Sequence, residues 1–214
     1  GIEEFNKLVT LLQEEYAFMV LEKMPHRLIW SKNELIVDLI PFGGIEESGY
    51  VHFKDSYDTV ISVVGLMEVY NQAVEIIKDD KKSKLATLPG ICVLKLSSWL
   101  DKPEERTRDL IDIQNILEHF FNIESEKIFE QHTDLFGAED FDITLAGARV
   151  LGREMNLIIK ESKTVRNRLL SGLKDGIGIY SDPGRLILAI TGATGMDQEY
   201  AYKLFMGLLD GVED

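Results

Sequence analysis

The chain has 214 residues, of which 45% are hydrophobic and 28% are charged, and its formal net charge is −14. This length suffices for one large domain or for an α/β domain with a helical appendage. No apolar run approaches the roughly 20 residues that a membrane span needs, and no secretory signal opens the chain, so we expect a soluble protein without a membrane partner. The acidic balance argues against general DNA or RNA binding, which depends on neutralising phosphates.

The single cysteine excludes an internal disulfide framework and is typical of the reducing cytoplasm. Cys92 lies in an apolar segment, which indicates an inert buried thiol. The four histidines show no zinc-ligand spacing. Two groups of basic residues either contact a polyanion or simply lie on solvated faces of the protein. They are Lys81, Lys82 and Lys84 and, on one predicted helix, Lys160, Lys163, Arg166, Arg168 and Lys174.

The N-terminal segment begins with an amphipathic pattern. Apolar residues at helical spacing predict a helix over residues 2–16. Strand-like segments follow at 17–22, 26–31 and 34–40, and the polar turn at 31–33 predicts a β-hairpin over 26–40.

Asp38 is the single acidic residue in the run 35–40 of the third of these strands, and the other residues of that run are apolar. Side chains alternate along a strand, so Asp38 shares its face with Ile36 and Ile40, and the apolar pattern predicts that neither face meets solvent. A buried carboxylate costs several kcal/mol unless a hydrogen-bond network, a cation or a metal meets it. Asp38 is therefore either a functional residue or a structural acid paired with an arginine or a backbone turn.

The rest of the chain alternates short strands and helices before becoming helical. We predict an irregular segment at 45–58, a strand at 59–62, a helix at 65–73, a strand at 74–78, a charged loop at 78–84 and helices at 90–100 and 108–121. Pro89 should lie just before the first of these two helices, and Thr107 can cap the second. Helices with stops at 176–178 and 182–184 follow residue 124. The fold class is therefore α+β, with an α+β domain at 1–123 and a helical C-terminal domain at 124–214.

Three charged residues on two predicted helices are candidates for chemistry, and one of them interrupts an apolar helical pattern. Lys95 does so in the helix at 90–100, where its stem could also simply carry the charge to the surface. Asp109 and Asp112 are spaced i, i+3, so they lie on one part of a helix surface and flank its apolar stripe. Alternatively, Asp109 and Asp112 have no role in chemistry and only complement the helix dipole, as acids in a first helical turn do.

Four segments that span most of the chain are distinctive in combination: IVDLIPFGGIE, VVGLMEVYNQAVEI, LPGICVLKLSSWLDKPEERTRDLIDIQNIL and LAGARVLGREM. They resemble the AbiEii-like nucleotidyltransferases, bacterial proteins of the DNA polymerase beta-like superfamily that are related to abortive-infection and toxin–antitoxin systems. The resemblance implies a mixed β-sheet flanked by helices. It also implies transfer of a nucleoside monophosphate from an NTP to an acceptor hydroxyl of RNA, protein or a small molecule.

The resemblance also implies roles for individual residues. Two Mg²⁺ ions held by carboxylates would orient the triphosphate, and Asp38 matches the metal-site carboxylate that comes from a neighbouring strand. Lys95 matches a lysine that reaches triphosphate oxygens, and Asp109 and Asp112 match the acids of a later helical motif. Arg108 would add positive charge to the phosphate region, or it forms only a surface pair with Glu104 or Glu105.

The sequence departs from the family at the defining motif. No Gly-Ser turn followed by an Asp-x-Asp strand precedes Asp38, so we expect that motif upstream of residue 1 and expect this chain alone to be inactive. The literal Asp-x-Asp at Asp140 and Asp142 opens a helix, where Asp142 is better interpreted as an N-cap. The glycine-containing segment 191–195 indicates a turn between helices rather than a phosphate loop.

Two functions remain open. One is a nucleotidyltransferase with NTP as substrate, tRNA or a protein as a candidate acceptor and an antitoxin as a candidate partner. The alternative is a non-catalytic nucleotidyltransferase-like module that binds a nucleotide or a protein.

Overall fold

The computed structural model describes residues 1–53, 58–137 and 141–214. Within them the chain divides into two compact units, Gly1–Met67 and Glu68–Asp214. Helices and small antiparallel sheets confirm the α+β class, and the C-terminal part is helical as predicted. The domain boundary that we predict between residues 123 and 124 falls inside the second unit, at the end of a long helix.

The first unit consists of one helix followed by five short strands. Its elements are α1 (Ile2–Tyr16), β1 (Phe18–Leu21), β2 (Met24–Trp30), β3 (Leu35–Asp38), β4 (Tyr50–His52) and β5 (Val60–Ser62). The predicted first helix, the hairpin and the strand near 59–62 are confirmed. The prediction of an irregular segment over 45–58 is wrong at β4, because three residues are too few to show an alternating pattern.

The sheet of the first unit is antiparallel, with strand order β1-β2-β3. The strand β2 ends at Trp30 and β3 begins at Leu35, so a four-residue turn sets their register. In this register Arg27 lies directly opposite Asp38. The strands β4 and β5 form a separate antiparallel pair. Within the residues that the structure describes, all strand pairs are antiparallel, so the mixed sheet that the resemblance implies is not among them.

A small core lies beneath α1 in the first unit. The buried side chains of Phe5, Val51, Phe53 and Val63 form it, and the rings of Phe5 and Phe53 meet edge to face with centroids 5.4 Å apart. The amphipathic pattern of α1 predicts this arrangement, since its apolar stripe supplies Phe5 to the core.

The second unit is built mainly from helices. Its elements are β6 (Val74–Lys78), β7 (Lys81–Leu85), α3 (Leu88–Asp101), α4 (Thr107–Ile123), α5 (Ser125–Gln131), α6 (Ile143–Ile159), α7 (Lys163–Ile177), β8 (Gly178–Ile179), β9 (Asp182–Pro183), α8 (Arg185–Thr194) and α9 (Gln198–Glu213). The predicted helix at 65–73 is confirmed as α2 (Leu66–Gln72), which contains the boundary between the units. None of the described helices is long and apolar enough to cross a membrane.

The charged segment 78–84 is not a loop, so this prediction is wrong. Its residues form the end of β6, a two-residue turn and most of β7, with Lys78 opposite Lys81. The turn residues Asp79 and Asp80 both have positive φ, of 50° and 60°. Asp tolerates this left-handed conformation, which two-residue hairpin turns require.

Local capping chemistry sets several helix starts. The Asp142 carboxylate accepts hydrogen bonds from the backbone N–H groups of Thr144 and Leu145, which confirms it as the N-cap of α6. The prediction that Thr107 caps α4 is wrong, since Thr107 is the first helical residue and Arg106 is the N-cap. Pro89 lies inside the first turn of α3 rather than before it. The missing N–H of proline costs nothing at that position.

The backbones of the helices α6 and α9 approach each other closely where the helices cross, because two glycines lie at the crossing. A Cβ added at Gly152 would overlap the Leu208 carbonyl oxygen, and one added at Gly211 would overlap the Arg149 carbonyl oxygen. Both obstacles are backbone atoms of the facing helix. Only glycine therefore permits this crossing.

Candidate functional site

Asp38 lies on a strand that is far more exposed than its composition suggests. Leu35 and Ile36 are 53% and 58% exposed, and the Asp38 side chain is 35% exposed. The prediction that both strand faces are buried is therefore wrong. The apolar pattern of a strand does not distinguish a buried face from an exposed apolar one.

The partner of Asp38 is a guanidinium group. Arg27 donates from Nε to Oδ1 and from a terminal nitrogen to Oδ2 of Asp38, both over 2.7 Å. These hydrogen bonds hold the pKa of Asp38 below its ordinary value. The pair matches the structural explanation that the sequence left open, an acid met by an arginine.

The described residues do not fit the Mg²⁺ ions that the resemblance implies. Both carboxylate oxygens of Asp38 already accept from Arg27, so a metal would have to displace the guanidinium. No group of three His, Cys, Asp or Glu residues that could hold a metal occurs among residues 1–53, 58–137 and 141–214. Asp140 of the literal Asp-x-Asp lies outside those residues.

Lys95, Asp109 and Asp112 form one cluster between α3 and α4. The Lys95 ammonium donates to Asp109 over 3.1 Å and to Asp112 over 2.6 Å. Arg106 adds a longer contact, with 3.8 Å between its guanidinium and the second Asp109 oxygen. The structure thus brings three of the predicted site residues together within the second unit. Asp38 belongs to the first unit.

The cluster is partly buried. The side chains of Lys95 and Asp109 are 26% and 13% exposed, whereas that of Asp112 is 51% exposed. Burial by itself would lower the pKa of Lys95, but hydrogen bonds to Asp112 and Asp109 outweigh it and hold that pKa above the ordinary value. Lys95 is thus held as a cation, and Asp112 is the acid that can most easily exchange its contact for one with water or a ligand.

The local sequence explains why these side chains meet. The helix α3 buries a stripe that includes Cys92, Leu96 and Trp99, and Lys95 lies at its margin. The helix α4 buries Leu110 and Ile113, and the two acids flank this stripe as the spacing predicts. Since α3 packs on α4, the two margins come together.

Arg108 is exposed near the start of α4. The sequence also allowed Arg108 to form a surface ion pair with Glu104 or Glu105. Among the described residues this pair is not formed, because Glu104 pairs with Arg185 and Glu105 pairs with Lys102. No described acid lies within ion-pair distance of Arg108, so the guanidinium is free to meet solvent or an anion.

Sequence reasoning missed the two arginines that contact the candidate acids. Arg27 could have been found, because a hairpin with a four-residue turn at 31–34 places residue 27 opposite Asp38. Arg106 precedes Asp109 by three residues, and side chains at this spacing are neighbours on a helix surface, so the sequence carried this signal as well.

Several members of the two groups of basic residues have partners within the second unit. Lys82 pairs with Glu75 over 3.0 Å, Lys84 lies 4.1 Å from the Tyr70 ring centroid, and Lys174 pairs with Glu213 over 2.5 Å. The second group also does not share one helix, since Lys160 follows the end of α6 and the other four residues lie on α7, where Arg168 pairs with Asp101.

Two further predictions concern residues without an assigned role. Cys92 is buried as predicted, and burial raises the pKa of its thiol to about 12, which disfavours the nucleophilic thiolate. The segment 191–195 ends α8, with Gly195 in the left-handed conformation at φ 73°, and α9 begins shortly afterwards. The turn between helices is therefore confirmed.

Comparison of the chain with family models, with curated proteins and with solved structures gave no match.

Proposed function

We propose that this chain carries part of the NTP site of a bacterial nucleotidyltransferase, with Lys95, Asp109 and Asp112 as the contributing residues. The observation that supports the proposal is the cluster itself. Its members are 14 and 17 residues apart in sequence, yet one ammonium contacts both carboxylates. They are the residues of the Lys…Arg-Asp-x-x-Asp segment that resembles AbiEii-like nucleotidyltransferases.

Lys95 is the residue that would contact the nucleotide. Its cationic ammonium can bind a phosphate oxygen when the exposed Asp112 gives up its contact. The more buried Asp109 would keep the ammonium in place during this exchange. The exposed Arg108 would add positive charge near the same helix.

The transfer itself needs charge stabilisation at the triphosphate, which Mg²⁺ supplies in nucleotidyl transfer. The described residues do not fit this ion, so we assign no ligand to it. The acceptor we propose is a hydroxyl group of RNA, including tRNA, of a protein or of a small molecule. A role of the toxin–antitoxin or abortive-infection type, with an antitoxin as partner, is part of the same proposal.

A non-catalytic nucleotide- or protein-binding module is the second candidate. It is favoured by the two hydrogen bonds from Arg27, which occupy both oxygens of the acid that was expected to hold a metal. In such a module Lys95 would bind phosphate without transfer.

The test is label transfer from each NTP, labelled at its α-phosphate, to total tRNA or protein in the presence of Mg²⁺. The test protein is the natural gene product, with Lys95→Ala compared with Lys102→Ala. Lys102 serves as the matched control, because its side chain is exposed and its ion pair with Glu105 is long, at 3.6 Å. We expect transfer by the wild type and the control, and its loss in Lys95→Ala with an unchanged circular dichroism spectrum.

Other outcomes separate the candidates. NTP binding in equilibrium dialysis that depends on Lys95, without any transfer, would establish the second candidate. Transfer that survives Asp38→Ala would remove the metal-site role of that residue. If the protein shows no transfer and no Lys95-dependent NTP binding, the transferase and the nucleotide-binding module are both contradicted.

A further inference from the structure

A short segment that follows α5 is attached to α6 through Arg153. The segment consists of His132 and the 3₁₀ helix Thr133–Leu135, and we call it the latch. Arg153 Nη1 lies 3.2 Å from His132 Nδ1, and the two terminal nitrogens of Arg153 donate to the two Asp134 carboxylate oxygens over 3.0 and 2.6 Å. Both contacts therefore join the latch to the same guanidinium group.

The Arg153 guanidinium is held in place from a second side. Its Nε donates to the Asp214 carboxylate over 2.6 Å, and its side chain is only 20% exposed. Because a guanidinium has donors and no acceptor, any group that stays against Nη1 must accept a hydrogen bond.

The neutral imidazole of His132 fits this position, and the charged imidazolium does not. The neutral ring accepts at Nδ1 from Arg153 and carries its proton on Nε2. A second proton on Nδ1 would face the Arg153 N–H, so repulsion between two cations would replace the hydrogen bond. Nε2 is buried and has no hydrogen-bond partner among the described residues. The imidazolium would therefore find an acceptor at neither nitrogen.

Charges of both signs surround His132. The cations are Arg153 on α6 and Lys127 on α5, and the acids are Glu154 on α6 and Asp134 on the latch. Burial has the largest effect and, together with Arg153, lowers the pKa of His132 below its ordinary value of 6.5. The hydrogen bonds from Arg153 hold the pKa of Asp134 below its ordinary value of 3.8, so Asp134 stays ionised where His132 titrates.

The latch forms one wall of a cavity in the second unit. Asp134 and Leu135 line this cavity of about 530 Å³ together with Leu145 and Arg149 of α6 and Met206 of α9. Cavities of this size are typical of sites for small ligands. A movement of the latch away from α6 would therefore open the cavity from one side.

We propose that the latch is a pH-sensitive gate of this cavity, closed while His132 is neutral and released when its ring is protonated. After release the imidazolium reaches solvent, where Asp134, at 58% exposed, can pair with it instead of with Arg153. Both contacts between the latch and α6 are then lost together. Because the closed state favours the neutral ring, it loses stability as the pH falls below 6.5.

Hydrogen exchange of the whole chain, followed by NMR, tests the proposal at the amides of His132, Leu135 and Phe136, which donate hydrogen bonds within the latch or at its ends. After correction for intrinsic rates, we expect their protection to fall about 3- to 10-fold between about pH 7.5 and about pH 5.5, since one proton changes an equilibrium by at most about 10-fold per pH unit. Amides within α7 should keep their protection. Protection of the latch amides that does not depend on pH would overturn the proposal.

Two asparagine variants separate His132 from the other titrating groups. In His132→Asn the amide oxygen can accept from Arg153 at every pH, so we expect protection of the latch that is independent of pH. His119→Asn is the matched control, because His119 is exposed on α4 and its Nδ1 contacts the Asn115 carbonyl oxygen. It should behave like the wild type. Equal pH dependence in the two variants would show that His132 does not control the latch.

Access to the cavity is measured separately. A neutral paramagnetic chelate in the solvent should relax the Met206 methyl group more strongly at the lower pH in the wild type and equally at both pH values in His132→Asn. Wild-type latch amides that lose protection while the Met206 relaxation stays constant would contradict the gating of the cavity.

Discussion

At the scale of single residues, two partly buried groups of charged side chains are each built around a cation that has more than one partner. Lys95 contacts two acids, and Arg153 donates to Asp134 and Asp214 and also lies 3.2 Å from a His132 ring nitrogen. Partly buried groups of this kind are stable when complete and costly when one member is removed.

Replacing Lys95 tests this cost independently of activity. In Lys95→Gln the mostly buried Asp109 and its neighbour Asp112 lose their common cation, so we expect a loss of about 1–3 kcal/mol in the free energy of unfolding. Urea unfolding at neutral pH measures it. Lys102→Gln should change stability by less than about 0.5 kcal/mol, as exposed pairs contribute little. Equal effects of the two substitutions would show that the cluster is not a stabilising group.

The carboxylate of Asp214 predicts a pH dependence. Hydrogen bonds from Arg149 and Arg153 lower the pKa of Asp214 from 3.8 to about 2. Because the folded-state pKa is the lower one, the ionised group stabilises the fold above pH 3.8, and this contribution is lost as the pH falls from 3.8 towards about 2. The stability difference between wild type and Asp214→Asn should therefore be full at neutral pH and close within this window. A difference that is independent of pH would contradict the ion pairing.

At the scale of elements, the crossing of α6 and α9 organises the second unit. Gly152 and Gly211 permit the close approach, and the pairs of Arg149 and Arg153 with Asp214 join the same two helices. Steric fit and charge thus stabilise a single arrangement of these helices.

Alanine at either crossing glycine should separate the helices. The added methyl groups of Gly152→Ala and Gly211→Ala meet backbone atoms that cannot rotate away, so we expect each to cost about 1–3 kcal/mol or more. Thermal unfolding measures the loss. Gly192→Ala in α8 is the control, since nothing lies within 4 Å of its added methyl, and helix propensity predicts a gain of about 0.5–1 kcal/mol. If all three substitutions stabilise the protein, the crossing is wider than described.

At the scale of the whole molecule, the two units differ in the size of their cores. The first unit buries Phe5, Leu28, Val51, Phe53 and Val63 among the described residues, whereas the second buries large side chains along most of its helices, including Trp99, Phe120 and Phe205. Since burial of apolar surface dominates stability, the second unit should open less readily.

Hydrogen exchange measures this difference. We expect backbone amides of α1 and β1 to β3 to exchange at least about 10-fold faster than those of α4, α6 and α9, after correction for intrinsic rates. Uniform protection across both units would show that they unfold as one cooperative body.

The sequence alone determined the features that near neighbours control. The helix α1, the Asp142 cap, the buried Cys92 and the flanking positions of Asp109 and Asp112 follow from periodicity and capping, which act over a few residues. The AbiEii-like function stays a proposal. Only the tertiary structure decided that Lys95 joins two acids, that the apolar residues Leu35 and Ile36 of β3 are exposed and that α6 and α9 touch at glycines. Ion pairs, exposure and helix crossings depend on which surfaces meet after folding, and residues far apart in the chain supply those surfaces.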